Sequence, residues 1–431
     1  MKNILTVLVC IFTVQFFCIG QDVITYAGTG KRGFSNGLKD TSTFSYPYGI
    51  CLDPFGNIYI SDTYNNVIRK IGPEGIVTTF AGSGLKGSND GFGLDASFNF
   101  PKGICSDLIG NIYVADFANF NIRKITPLGQ VSTYAGLTKW GGLDGNVSVA
   151  GFNLPTGVCS DINGNIYVAD QYNNRIRKIS PERNVSTLAG SNIEGFKDGK
   201  GAEASFYRPT GICSDINGNI YVTDQYNNSI RKISPDGTVI TLAGTGVPGS
   251  MDGPGVTASF LNPLGICIDK LGNIYVSDSE NFKVRRIDPK GEVTTLIGNG
   301  IQGSIDGAKS IASFYGPNGI TIDSIGNLFV VDENIHKIRK ITLGNVNTIN
   351  KTIDVVFSIY PNPSNGYFTF TCNSNGTISI LNINGKLIYT KKISNGINQI
   401  SMDNISNGAY FIQFIQNGIG ISINSKIIVV K

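Results

Sequence analysis

Pro155-Thr-Gly-Val-Cys-Ser-Asp-Ile-Asn-Gly-Asn-Ile-Tyr-Val-Ala-Asp170, running on as Gln171-Tyr-Asn-Asn-Arg-Ile-Arg-Lys-Ile179, decides the fold. Three short runs stand out: Gly157–Asp161, Asn165–Asp170 and Arg175–Ile179. A fourth follows at Val185–Ala189. Each is about five residues long, rich in β-branched and aromatic types, and bounded by turn formers. Asp161-Ile-Asn-Gly164 reads as a hairpin turn in which Gly164 takes a positive φ. Pro181 opens the next turn, where its fixed φ helps and no strand hydrogen bond is lost.

The same text recurs every 54 residues on both sides. Pro47, Pro101, Pro155, Pro209, Pro263 and Pro317 are related in this way, as are Gly56, Gly110, Gly164, Gly218, Gly272 and Gly326. So are Asp62, Asp116, Asp170, Asp224, Asp278 and Asp332, and Arg69, Arg123, Arg177, Arg231, Arg285 and Arg339. Six equal copies of four antiparallel strands predict an all-β, six-bladed β-propeller. Val23–Ala27 reads as a fourth strand that precedes the first full copy, while the sixth copy is degenerate there, at Val346–Ile349. The expectation is that Val23–Ala27 pairs with Lys337–Ile341, so that both ends of the ring build one blade. The rival is local closure by Val346–Ile349.

Composition agrees. Of 431 residues 54 are Gly and only 15% are charged, against averages of about 7% and about 25%. Coiled coils and long solvated helices are excluded, and a 41% hydrophobic content excludes wholesale disorder. A net charge of +4 is too weak to imply a nucleic-acid or acidic-membrane partner. A single His excludes His-rich metal sites and most His-based triads within one protomer.

Features present in every copy read as structural. Cys51, Cys105, Cys159, Cys213 and Cys267 share one inner-strand position, too widely spaced around a ring to bridge, and are expected as buried free thiols. The Asp62 and Arg69 sets are expected to serve the backbone and the hairpin, and the Phe44, Phe98, Phe152, Phe206, Phe260 and Phe314 set, like Tyr59 and its copies, the core. Asp-Gly loops at Asp90, Asp144, Asp198, Asp252 and Asp306 lack the closely spaced carboxylates of a calcium loop, so turn chemistry is favoured over calcium. No cofactor is expected.

The text Pro-x-Gly-Ile-Cys-x-Asp, Gly-Asn-Ile-Tyr-Val-x-Asp, Asn-x-x-Ile-Arg-Lys-Ile and Val-x-Thr-Leu-Ala-Gly resembles the NHL-repeat propellers over residues 22–345. The resemblance implies a fold and is nearly silent on function, since such propellers include both binding scaffolds and enzymes. Binding residues are therefore sought where the copies differ, on the face carrying the second-to-third and fourth-to-first connections. The candidates are Tyr64, Asn66, Phe117, Trp140, Gln171, Tyr172, Gln225, Tyr226, Glu280, Glu333 and His336. Tyrosine faces and amides suit a glycan or a peptide. The competing reading is a lactonase- or lyase-like enzyme with an oxygen-ligated central metal, to which Glu280, Glu333 and Asn334 would contribute. No Gly-x-Ser-x-Gly elbow or HExxH motif supports it.

The two ends read as addresses. Lys2 followed by the apolar stretch Ile4–Ile19 reads as a secretory signal peptide over residues 1–20. The propeller spans 21–344, a linker 345–356, and a small β-sandwich 357–431. The last segment carries Tyr360-Pro361-Asn362-Pro363-Ser-Asn-Gly366, the Asn-Gly385-Lys turn, the strand Gly408-Ala-Tyr410-Phe and the terminal Lys431. These motifs resemble the type A C-terminal sorting domain of the Bacteroidota type IX secretion system. The resemblance implies two-step export, a partnership with that machinery, a secreted or outer-membrane-surface location, and membrane association only by anchoring after export. A monomer is expected.

Overall fold

A computed structural model describes residues 21–343, 357–360, 367–372, 375–382, 386–401, 405–416 and 422–429. The signal segment, the linker, Val346–Ile349, Pro361, Asn362, Pro363, Gly366, Gly385 and Lys431 lie outside the described residues. The described residues form six five-stranded antiparallel sheets, together with one three-stranded and one four-stranded sheet.

Each five-stranded sheet is one blade. Blade 3 runs outward from Pro155–Ser160 through Ile166–Asp170 and Arg175–Ile179 to Asn184–Ala189, and a two-residue strand, Gly145–Asn146, edges it. The other blades repeat this order at the 54-residue interval. Blade 6 differs only in the source of its fourth strand: Asp22–Ala27 pairs with Lys337–Thr342, from Asp22 against Thr342 to Ala27 against Ile338. The expected two-ended closure is observed, and it leaves no unpaired edge at that seam.

The ring is tight because the innermost strand carries Gly at its third position. A Cβ on Gly157 would overlap the carbonyl oxygen of Thr210 in the next blade, and the same holds from Gly49 to Lys102 around to Gly319 and Tyr48. Serine hydroxyls stitch three seams lower down: Ser106 donates to the Leu52 carbonyl at 2.6 Å, Ser160 to Ser106 at 2.7 Å and Ser214 to Ser160 at 2.8 Å. The resulting axial channel has a volume of about 60 Å³ and walls of Gly, Ile and Val below a mouth of mixed side chains. Between blades the core is Ile, Val, Ala, Cys and the repeated Phe, with Phe44, Phe98, Phe152, Phe206, Phe260 and Phe314 fully buried. The five repeat cysteines are free thiols with little or no exposure, as expected.

The strongest polar element is a clamp in every blade. In blade 3, Arg177 donates to Asp170 at 2.8 Å, to the Gly151 and Leu143 carbonyls at 2.9 and 2.8 Å, and to Asp144 at 2.6 Å. Asp170 also accepts from the Asn153 amide and the Asn173 side chain. Both Arg177 and Asp170 have no exposed side-chain surface, and the guanidinium lies over the Phe152 ring. The Asp-Gly loop aspartates thus serve the arginine as well as the turn; Asn36 takes that place in blade 1. Burial pushes the inner carboxyls up, to about 6 for Asp116, Asp224 and Asp332, with the guanidinium and the amide donors pulling back.

The C-terminal strands form the expected two-sheet sandwich. One sheet joins Phe357–Tyr360, Tyr367–Cys372 and Gly396–Ser401; the other joins Leu387–Ile393, Gly376–Asn382, Gly408–Gln416 and Ser422–Val429. Phe368, Phe370, Ile378, Ile380, Ile400 and Ile412 build its core. Gly408 opens its strand, and buried Tyr410 donates its hydroxyl to the Ser406 carbonyl at 2.8 Å. Tyr360 pairs by its backbone with Thr369.

Candidate functional site

The inner strand of each blade begins where the second strand ends, Pro155 opposite Asp170 and likewise around the ring. A three-residue 3-10 turn after that Asp closes on a left-handed residue: Asn66, Phe120, Asn174, Asn228, Phe282 or His336. These turns and the loops entering each Pro make up one face, here called the top. The opposite face is uniform. Asp161 there accepts from the Asn163 and Asn165 amides, the Asn165 side chain and the Tyr167 hydroxyl, and near-identical turns recur around the ring.

At the channel mouth the residue after the repeat Pro is Tyr48, Lys102, Thr156, Thr210, Leu264 or Asn318. Beside it lies the first turn residue: Thr63, Phe117, Gln171, Gln225, Ser279 or Glu333. Neither ring is uniform, although blades 3 and 4 share Thr and Gln, and the mouth divides into two halves. Across blades 3 to 5 runs an amide relay. Gln171 donates to Gln225 at 3.1 Å and to Thr210 at 3.2 Å, Gln225 donates to Asn262 at 2.7 Å, and Asn262 donates to Glu280 at 3.0 Å. Across blades 6, 1 and 2 the mouth is charged and aromatic. The Lys102 ammonium sits 3.7 Å from the Phe117 ring centroid and 4.8 Å from that of Tyr48. Glu333 accepts from Asn318 at 2.8 Å. Burial pushes the Lys102 ammonium down to about 8, against the attraction of Glu333, and pushes the Glu333 carboxyl up, against Asn318 and Lys102.

Outside the mouth, five blades hold a non-glycine residue in the left-handed region immediately before Pro: Tyr46, Phe100, Leu154, Arg208 and Asn262, with φ from 46 to 57°. Blade 6 uses Gly316. Such a residue bears about 1–2 kcal/mol of steric cost that glycine escapes, and a following Pro disfavours helical backbone further. The frame thus holds side chains upward at a local cost, as strained functional positions do. Tyr46, Tyr64 and Phe100 form one aromatic group, with centroids 4.7 and 5.2 Å apart, and Arg32 lies over Tyr46 and Tyr64. Arg208 covers Tyr172, its guanidinium carbon 3.3 Å from the ring centroid, and Tyr226 stands edge-on to Tyr207.

The eleven candidate binding residues fall into three kinds. Tyr64, Tyr172, Tyr226 and Glu280 are accessible at the top, and Trp140 is 73% exposed at the loop position that Arg32 and Lys86 occupy in blades 1 and 2. Phe117, Gln171, Gln225 and Glu333 ring the mouth. Asn66 and His336 hold seams instead: the Asn66 side-chain oxygen accepts the Phe100 amide at 3.0 Å, and His336 Nδ1 accepts the Tyr46 amide at 3.2 Å across the closing seam. Asn174 and Asn228 do the same for Arg208 and Asn262. Burial lowers the His336 pKa, and Arg32 adds to that. The reading from sequence missed Tyr46, Tyr48, Phe100, Lys102, Arg208 and Asn318. Their signal is the contrast between an invariant Pro and unlike residues on either side of it. Among the described residues no three His, Cys, Asp or Glu side chains converge as a metal ion would require.

Family models match both parts of this architecture. The NHL repeat matches residues 152–179, 206–233 and 260–287, blades 3 to 5, and the secretion system C-terminal sorting domain matches residues 358–430. The chain is an NHL-repeat propeller joined to a secretion-system sorting domain. The sorting domain marks this NHL propeller for export by the type IX route to a secreted or cell-surface location. No helix among the described residues is long and apolar enough to cross a membrane. The propeller is 30% identical over 313 residues to Protein SUPPRESSOR OF QUENCHING 1, chloroplastic, of Arabidopsis thaliana, covering 67% of this chain and 30% of that one. It is 30% identical over 346 residues to NHL repeat-containing protein 2 of Bos taurus, covering 70% and 47%. The chain thus spans less than half the length of these curated relatives. A solved auxiliary nutrient binding protein of Bacteroides thetaiotaomicron has the same fold, with a TM-score of 0.59 at 18% identity over 75% of this chain and 76% of that one.

Proposed function

We propose that this exported NHL propeller is a binding protein that takes a glycan or peptide ligand on its top face, over the channel mouth. One observation carries the reading. The frame repeats its backbone, clamps and lower turns six times, while the top-face positions differ in chemistry from blade to blade, several of them in strained backbone. A purely architectural disc gains nothing from left-handed Tyr46 or Arg208 where glycine fits. Rigid placement also favours binding, because less freedom is lost when the ligand docks. The solved nutrient binding protein of the same fold supports the reading at the level of architecture only.

The test is a binding panel of polysaccharides and peptides against the full exported chain and a Tyr226→Ala, Gln225→Ala variant. Retention of a ligand by the parent and its loss by the variant is expected. Turnover of a lactone or polysaccharide substrate, or binding indifferent to the variant, would overturn the proposal. The sorting domain is proposed to engage the secretion machinery directly; deletion of residues 357–431 is then expected to trap the protein in the periplasm, and unchanged delivery would refute that role.

A further inference from the structure

We infer that the top-face ligand is a polysaccharide bearing carboxylates, read by arginines stacked on tyrosines. The inference rests on the binding role proposed above and narrows it. Arg208 is the central observation. Its guanidinium carbon lies over the Tyr172 ring, 3.3 Å from the centroid, with the Tyr226 centroid at 5.9 Å. Among the described residues that guanidinium makes no hydrogen bond and no ion pair, although every repeat arginine one layer below is ion-paired through its terminal nitrogens. Stacking leaves the guanidinium edge, with its five N–H donors, without a protein partner among the described residues. That edge matches a carboxylate in two parallel hydrogen bonds.

The surroundings fit a sugar ring. Tyr226 and Tyr172 are 52% and 43% exposed, which offers flat apolar surface beside the fork. Immediately inward stand Gln225 and Asn262, whose amide nitrogens each give one N–H to the relay and keep a second that can donate to a sugar hydroxyl. The arrangement also recurs. Arg32 lies over Tyr46 and Tyr64 at 5.5 and 5.8 Å, with only its Nε engaged, to Ser45. The Lys86 ammonium lies 4.3 Å from the Phe100 centroid with no carboxylate partner among the described residues. Cationic stations on blades 1, 2 and 4 suit a polymer whose charge repeats along its length, since several contacts made together multiply affinity. A net charge of +4 over 431 residues lacks the strong positive field expected of a nucleic-acid binder.

The test uses the full exported chain with polygalacturonate, alginate, fully methyl-esterified polygalacturonate and poly-glutamate. Binding to the two uronates is expected, with at least a tenfold loss on methyl esterification. Arg208→Gln should lose about as much with unchanged thermal unfolding, and Arg208→Lys, which keeps the charge without the fork, should fall between. Equal binding of acid and ester overturns the inference; if Tyr226→Ala then abolishes both, top-face binding still stands. Equal binding of poly-glutamate overturns it in favour of charge alone. Uronate affinity unmoved by Arg208→Gln together with Arg32→Gln overturns the site, and failure to bind either uronate overturns the ligand class.

Discussion

Arg177 and Arg208 sit on adjoining blades and are held in opposite ways. Arg177 is fully buried, ion-paired on both sides and hydrogen-bonded to two carbonyls, and it recurs six times. Arg208 occurs once, in strained backbone, stacked on a tyrosine and without a carboxylate partner among the described residues. One guanidinium is spent on the fold and the other is left over. In a repeat protein this contrast separates architecture from recognition more sharply than residue type does: what is copied and ion-paired supports, and what is unique and unpaired is available.

The largest expected effect comes from breaking the first kind. Arg177→Met strands a buried Asp170 carboxylate, and loss of one member of a buried pair costs about 3–5 kcal/mol. Calorimetry of that variant should show a marked fall in Tm, partly restored by adding Asp170→Asn. A loss under about 1 kcal/mol would mean that the clamp is dispensable and the comparison empty.

The next effect is a pH dependence. An acid whose folded pKa is raised binds protons more tightly folded than unfolded, so its stabilisation is full below the unfolded value and is lost as pH rises through the folded one. Asp116, Asp224 and Asp332, raised to about 6 by burial, should therefore make the propeller more stable as pH falls from about 7.5 to about 5. The outer partners oppose this at lower pH. Partial burial pushes Asp198 and Asp252 up, but their threonine and arginine donors outweigh it and hold both carboxyls below the ordinary range. Their contribution disappears as they take up protons, so stability should turn over and fall below about pH 4. A Tm that climbs steadily from acid to neutral pH would contradict the burial effect.

The smallest effect belongs to the second kind. Arg208→Gln should change stability by no more than about 0.5 kcal/mol, and Arg208→Gly should raise it by about 1 kcal/mol by relieving the left-handed backbone. Chemical denaturation checks both. A large loss from Arg208→Gln would move Arg208 into the architectural class.

The fold was legible because the signals that build it are copied. A 54-residue period repeats Pro, Asp, Arg and Gly at fixed offsets, and six agreeing copies overwhelm the ambiguity of any single strand. The candidate site was legible only in part, for the opposite reason. The turn tips Tyr64, Tyr172 and Tyr226 showed themselves as differences between copies. Asn66 and His336 showed the same variability yet bridge seams, because a side-chain acceptor at a left-handed turn meets the next blade's amide, which sequence does not display. Tyr46 and Arg208 went unnoticed because their backbone strain exists only once Pro and the closed ring fix the chain on either side.

Sequence alone determined the number of blades, the buried thiols and the sorting tail, since each depends on local pattern and periodicity; it left Val23–Ala27 and Val346–Ile349 as rivals for the closing strand, and the structure places Asp22–Ala27 there. The tertiary structure decided which arginines are neutralised and which are free, which aromatic rings are covered by cations, and how narrow the channel is. Those outcomes depend on contacts between residues tens of positions apart, and only ring closure brings them within a few ångströms of one another.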